Sequence, residues 1–215
     1  MTETFGLYLV LTDPIAGYEA CARAAVAEGV RMLQLRMKEA PRDEVVRVAH
    51  GLRRITAGTA TRFIVNDDVS IAAEVDADGV HLGQQDMNLD VARAAWPAAG
   101  KLFGLSTHSE QQELAARCWA PDYIGVGPVF ATPTKKIPDP VLGVPRACAI
   151  VRGSPLTAVA IGGIDDLALP SLLQGGVRNF AVVRAVNRSD RPREAIAKLM
   201  HTWKQHVVGA GQTAE

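Results

Sequence analysis

The stretch Leu33-Gln34-Leu35-Arg36-Met37-Lys38 alternates strictly between apolar and polar side chains. A strand places successive side chains on opposite faces. Leu33, Leu35 and Met37 then share one face, and Gln34, Arg36 and Lys38 share the other. In a barrel of parallel strands the apolar face suits the surrounding helices. The polar face points inward and climbs towards the barrel mouth, where the active sites of that fold lie. A guanidinium and an ammonium converging there suit an anionic substrate. Strands buried on both faces usually read as unbroken apolar runs, so an amphipathic edge strand with one solvated face is the plainer alternative.

Working outward, MLQLRM (Met32 to Met37) is one of eight short apolar runs. The others are FGLYLVLT (Phe5 to Thr12), RFIVN (Arg62 to Asn66), GVHLG (Gly79 to Gly83) and LFGLST (Leu102 to Thr107). YIGVGPV (Tyr123 to Val129), TAVAIGG (Thr157 to Gly163) and FAVVRAV (Phe180 to Val186) complete the set. The runs are rich in β-branched residues and several close on Gly or Asn, which marks strands. Helical periods separate them. Val45, Val48, Ala49, Leu52 and Ile55 form one apolar stripe, and Ile196, Leu199, Met200 and Trp203 form another. Asp67 or Asp68, Ser109 and Asp165 suit helix starts, and Gly29, Gly58 and Gly175 suit helix ends. Eight strand–helix units imply an α/β fold, a single (β/α)8 TIM barrel. An open doubly wound sheet is the runner-up, because strand count does not show closure.

The composition fits one large domain. The chain has 215 residues, 48% of them apolar, with 23 basic and 23 acidic side chains that cancel. Disorder is excluded, and a general nucleic-acid binder is disfavoured by the missing basic surplus. No apolar run reaches the ~20 residues of a membrane span. Met1 to Val10 lacks a basic leader, so a secretory signal is not expected. Cys21, Cys118 and Cys148 are odd in number and widely spaced, which reads as reduced thiols in a cytoplasmic protein without a zinc site. A single domain over residues 1–215 is expected, with residues 208–215 as a flexible tail.

Several polar residues fall where strands end. Asn66, Asp67 and Asp68 close the third run, and Asp86 follows the fourth in HLGQQD. Neighbouring strands lie about 4.8 Å apart, so Asp67 and Asp86 are within reach of one cation. Hard oxygen ligands, completed by water and phosphate, suit Mg2+. The plainer reading makes each aspartate a helix cap, and one of the Asp67–Asp68 pair can serve each purpose. Ser106 and His108 end the fifth run, and His108 is the histidine best placed as an acid or base. His81 alternates with apolar neighbours and reads as a satisfied core histidine. A long aperiodic loop, FATPTKKIPDPVLG (Phe130 to Gly143), carries Thr132, Thr134 and Lys135. Loops of that kind are more often functional than accidental. Gly162-Gly163 and Val183-Arg184 follow the last two strands, where phosphate often binds through backbone N–H groups. No nucleophile elbow, P-loop or dinucleotide fingerprint is present.

Six motifs in register resemble the thiamine phosphate synthase family. They are QLRMK (Gln34 to Lys38), VNDD (Val65 to Asp68), DGVHLGQQD (Asp78 to Asp86), GLSTH (Gly104 to His108), DYIGVGPVFATPTKK (Asp122 to Lys136) and AIGGI (Ala160 to Ile164). The resemblance runs from Leu7 to Val186. It implies a (β/α)8 barrel and a Mg2+-dependent transferase of thiamine biosynthesis. Such an enzyme joins 4-amino-5-hydroxymethyl-2-methylpyrimidine diphosphate to a thiazole phosphate, giving thiamine phosphate and diphosphate. By that likeness Gln34, Arg36, Lys38, Asn66, Ser106 and Lys135 hold the pyrimidine diphosphate, and Asp67 and Asp86 hold Mg2+. Thr132, Thr134, Gly163 and the Val183-Arg184 backbone hold the thiazole phosphate. Arg36, Lys38, Ser106 and Lys135 form the expected catalytic set. Partners are the two substrates, with no nucleic acid or membrane and with room for a homo-oligomer. Arg184 departs from the pattern, since family members commonly carry serine there. A related thiazole tautomerase, using His108, and a non-catalytic thiazole-phosphate binder are the rival functions. Retention of Arg36, Lys38, Asp67, Asp86 and Lys135 together favours the synthase.

Overall fold

The computed structural model describes residues 2–132 and 139–211. All eight runs carry strands, each followed by a helix. The order is β1 (Leu7–Leu11), α1 (Tyr18–Ala27), β2 (Met32–Leu35), α2 (Arg42–Thr56), β3 (Arg62–Asn66), α3 (Val69–Glu74), β4 (Gly79–Leu82) and α4 (Leu89–Ala95). Then come β5 (Leu102–Thr107), α5 (Glu110–Trp119), β6 (Tyr123–Val126), α6 (Gly143–Gly153), β7 (Ala158–Ile161), α7 (Leu169–Gln174), β8 (Asn179–Val182), α8 (Arg184–Asn187) and α9 (Pro192–Gly211). The strands pair in parallel and in sequence order, and β8 returns to β1 through Leu9 opposite Val182. The sheet is therefore a closed barrel, and the open doubly wound alternative is ruled out.

Strand parity sorts the core into two layers. Leu7, Leu9 and Leu11 of β1 face the helices with Leu33 and Leu35 of β2, all essentially inaccessible. Tyr8 and Val10 face the barrel axis, where Met32, Ile64, Tyr123, Val159 and Ala181 join them in a smaller inner cluster. Gly104 leaves the space that two of the inner rings occupy. A Cβ there would stand 2.2 Å from Tyr123 Cζ and 2.6 Å from His81 Nδ1. The helical stripes bury as their periods require: Ala49 and Leu52 on α2, and Ile196, Leu199 and Met200 on α9.

One boundary differs from the sequence reading. FAVVRAV is strand only to Val182, and Arg184 opens α8, so Val183 and Arg184 are not part of the eighth strand. β1 offers no partner beyond Leu9 on that side, and the Val183 N-cap turns the chain into a helix. Of the tail expected over residues 208–215, residues 212–215 lie outside the described residues. The backbone of α9 stays helical to Gly211, with no proline to interrupt its hydrogen-bond ladder.

Candidate active site

A cavity of about 550 Å3 opens at the C-terminal ends of the strands. Gln34, Arg36, Lys38, Asn66, Asp67, Asp86, Ser106, Thr132, Gly163, Val183 and Arg184 all line it. These were separate signals in the sequence, and closure of the barrel brings them into one space. Thr134 and Lys135 lie outside the described residues.

β2 and its extension supply the cationic side. Gln34 is buried and donates from Nε2 to the Tyr8 hydroxyl at 2.7 Å. The Arg36 backbone N–H continues the sheet by donating to Leu11 O at 2.9 Å. That contact preserves the inward parity of Arg36 past the formal strand end. Burial pulls its guanidinium below the ordinary value, and the charge of Asp67 works against that pull. Arg36 is thus a partly desolvated cation aimed into the cavity. Lys38 Nζ lies 3.0 Å from Asp67 Oδ2.

The two adjacent aspartates of VNDD have different tasks. Asp68 caps α3, with its Oδ1 accepting from the Ile71 backbone N–H at 2.9 Å and from Ser70 Oγ at 2.6 Å. Asp67 sits in the left-handed region at φ 64° and donates its backbone N–H to His81 O at 2.8 Å. That turn sends its carboxyl towards Asp86. Burial, then the hydrogen-bonded Asp86 carboxyl, raises the Asp67 pKa, with Lys38 pulling the other way. Burial also opposes the charge on Asp86, but the hydrogen bond with Asp67 and the Gly83 N–H outweigh it and hold that pKa low. Two facing carboxyls that need something positive between them are a fitting donor set for a hard divalent cation. Among the described residues no third His, Cys, Asp or Glu joins them, which leaves room for water and substrate oxygens as further ligands.

Asp68→Ala removes the cap and leaves Asp67 in place. It is expected to cost about 1 kcal/mol, or roughly 2–4 °C in melting temperature for a chain of this size. Calorimetry combined with a rate assay checks this, with turnover near wild type at temperatures where the variant is folded.

The opposite wall is built from backbone. Phe130 N–H donates to Gly162 O and Val129 N–H to Ile161 O, each at 2.9 Å, which ties the start of the β6–α6 loop to the end of β7. Gly163 has φ 67°, and a Cβ on it would stand 2.7 Å from Phe130 Cβ. Only glycine suits that close approach. Arg184 is exposed beside this wall and makes no ion pair among the described residues.

His81 departs from the sequence reading. Both ring nitrogens are partnered, but the ring lines the cavity instead of the core. Nε2 lies 2.9 Å from Ser106 Oγ, and Nδ1 lies 3.2 Å from the Tyr123 hydroxyl. The cause is inward parity on β4, opposite a glycine that gives the ring room. His108 also lines the cavity, with Nδ1 at 2.6 Å from Gly127 O and Nε2 at 3.4 Å from Asp139 Oδ2. Tyr8 and Tyr123 were missed as site residues. Their signal was available as a phenol at an inward position in an otherwise aliphatic strand.

Residues 7–186 match the thiamine monophosphate synthase family. A thiamine-phosphate synthase from Synechocystis sp. is 40% identical over 90% of this chain, which spans 56% of that relative. One from Vibrio parahaemolyticus is 37% identical, covering 92% of this chain and 98% of the relative. Among solved structures, thiamine phosphate pyrophosphorylase from Pyrococcus furiosus superposes with a TM-score of 0.86 at 32% identity, over 94% of this chain and 97% of that one.

Proposed function

The chain belongs to the thiamine monophosphate synthase family, and from that premise we propose that it is a transferase joining 4-amino-5-hydroxymethyl-2-methylpyrimidine diphosphate to 4-methyl-5-(2-phosphooxyethyl)thiazole. The products are thiamine phosphate and diphosphate. The observation that carries this reading is the convergence of Arg36, Lys38, Asp67 and Asp86 on one side of a single cavity. A diphosphate needs just such an arrangement of two cations beside a carboxylate pair.

The reaction proceeds by loss of the leaving group first. The bond between the pyrimidine methylene carbon and the bridging oxygen breaks, and its electron pair departs with the diphosphate. The cation left behind is delocalised over the amino-pyrimidine. The thiazole nitrogen lone pair then forms the new carbon–nitrogen bond. No protein nucleophile is required, in keeping with the lack of a nucleophile motif. Arg36 meets the growing negative charge from a partly buried position, where fixed charges act more strongly than in water, and the more exposed Lys38 adds a second positive charge. Asp67 and Asp86 would hold Mg2+, which when bound would supply charge neutralisation to the diphosphate. Gln34, Asn66 and Ser106 orient the pyrimidine half, with Lys135 contributing a further charge to the diphosphate. Thr132, Thr134, Gly163 and the Val183–Arg184 backbone receive the thiazole phosphate. Holding the two rings together replaces a bimolecular encounter by an oriented one.

The test is to supply both substrates with Mg2+ and measure thiamine phosphate and diphosphate. Equimolar appearance of the two is expected. Binding of the thiazole phosphate without either product would overturn the synthase reading in favour of a binder. Isomerisation of a thiazole phosphate alone would favour the tautomerase.

Arg184 gives a separate prediction. A charge-assisted contact to phosphate is worth roughly 1.5–3 kcal/mol, and solvent exposure places this one at the lower end. Arg184→Ser is expected to raise the KM for thiazole phosphate about tenfold, with the KM for pyrimidine diphosphate within a factor of about two. Steady-state kinetics with each substrate varied in turn checks this. An unchanged or lower thiazole-phosphate KM would show that the side chain points away from the phosphate.

A further inference from the structure

Below the charged groups, five side chains from five different strands form one unbroken hydrogen-bonded chain. Gln34 Nε2 lies 2.7 Å from the Tyr8 hydroxyl, which lies 2.8 Å from the Tyr123 hydroxyl. Tyr123 reaches His81 Nδ1 at 3.2 Å, and His81 Nε2 reaches Ser106 Oγ at 2.9 Å. Gln34, Tyr8 and Tyr123 are each no more than 3% exposed. Groups so placed have little access to water as an alternative partner, so the chain must satisfy itself.

That requirement gives it a direction. The amide nitrogen of Gln34 can only donate, so it occupies a lone pair of the Tyr8 oxygen. The single Tyr8 proton then goes to Tyr123, and the single Tyr123 proton goes to His81 Nδ1. With Nδ1 an acceptor, the neutral ring keeps its proton on Nε2 and donates it to Ser106 Oγ. In that order the proton of Ser106 is left over, on a side chain that lines the cavity. Burial raises the pKa of both tyrosines, so both hydroxyls keep the protons that this order needs.

We propose that Tyr8, Tyr123 and His81 are positioning residues that hold the His81 ring as its Nε2–H tautomer and thereby fix Ser106 as a hydrogen-bond donor to an acceptor atom of the pyrimidine diphosphate. The proposal rests on the reading of this cavity as the synthase site, and it assigns work to three residues that this reading leaves unused. Its structural part stands apart from activity. The His81 ring stacks on Tyr123, with ring centroids 5.5 Å apart and planes 25° from parallel, which holds the plane of the ring.

The decisive experiment is nuclear magnetic resonance of the 15N-histidine-labelled wild-type chain, correlating the ring carbon protons with both ring nitrogens from pH 6 to 9. The His81 signals are identified by their loss in His81→Gln. A protonated-type Nε2 and an unprotonated-type Nδ1 are expected. Tyr123→Phe should abolish that preference and give a mixture of tautomers. An Nδ1–H tautomer in the wild type would overturn the proposal, because it requires Gln34 to present its oxygen to Tyr8 and the whole chain to run backwards. Retention of the wild-type tautomer in Tyr123→Phe would overturn it equally. The kinetic arm compares His81→Leu with His81→Gln, whose amide N–H can stand near the Nε2 position. His81→Leu should lower kcat ten- to a hundredfold with the thiazole-phosphate KM little changed, and His81→Gln should recover much of the loss. Wild-type kcat in His81→Leu would refute the relay. If the wild type makes no thiamine phosphate, the synthase reading fails, while the tautomer result still decides the relay by itself.

Discussion

Asp67→Ala is expected to lower turnover by a factor of about 10²–10³, the usual cost of removing one preorganised electrostatic element from a charge-developing transition state. Asp86→Ala should do the same, and if both carboxyls serve one ion the double variant should be little worse than either alone. Asp67→Asn is the cleaner replacement. Asparagine tolerates the left-handed backbone that Asp67 adopts at φ 64°, so local folding survives while one negative charge is removed. Raising Mg2+ should restore only part of the rate. Initial rates across a Mg2+ series, with melting curves for each variant, check this. Wild-type turnover of either single variant at limiting Mg2+ would make that carboxyl structural. Asp68→Ala is the internal comparison, one residue away, with its effect expected on stability instead.

Arg36→Met is expected to cost a similar factor, about 10²–10³ in kcat/KM for the pyrimidine diphosphate. Methionine retains much of the apolar stem and removes the charge, so the loss reports electrostatics and not packing. The expectation follows from burial. A guanidinium already pulled below its ordinary value by desolvation interacts with a departing diphosphate more strongly than a solvated one does. Arg36→Lys should recover only part of the loss, because an ammonium cannot offer the planar two-point contact of a guanidinium. The effect should appear in kcat as well as KM, since in the proposed mechanism the charge it meets grows as the carbon–oxygen bond breaks. A change confined to KM, with kcat untouched, would place Arg36 in ground-state binding alone.

Much of the barrel was readable along the chain because each strand announced itself locally. The alternation in LQLRMK placed Gln34, Arg36 and Lys38 on the inward face before any partner strand was known, and the parity holds past the end of β2. The split between Asp67 and Asp68 was posed by the sequence as two tasks for two aspartates. The backbone distinguishes them, with Asp68 on the N-terminus of α3 and Asp67 turned into the cavity. The polar relay was not readable in the same way. Tyr8 and Tyr123 meet 115 positions apart, a contact that exists only once the barrel closes. His81 looked like a core residue because its neighbours along β4 are apolar. Its true surroundings come from β5 and β6, including the space left by Gly104. The onset of α8 was hidden because a helix of four residues is too short to display a period, and its Ala185 and Val186 resume the apolar run of β8 just past Arg184.

The most direct test of the metal–diphosphate site is Mn2+ binding followed by electron paramagnetic resonance, with and without the pyrimidine diphosphate, in the wild type and in Asp67→Asn. If Asp67 and Asp86 hold the cation that carries the leaving group, the wild type takes up one Mn2+ per chain, far more tightly when the diphosphate is present, and Asp67→Asn loses that uptake while keeping its fold. Equal Mn2+ binding by the two proteins in the presence of the diphosphate would contradict the assignment.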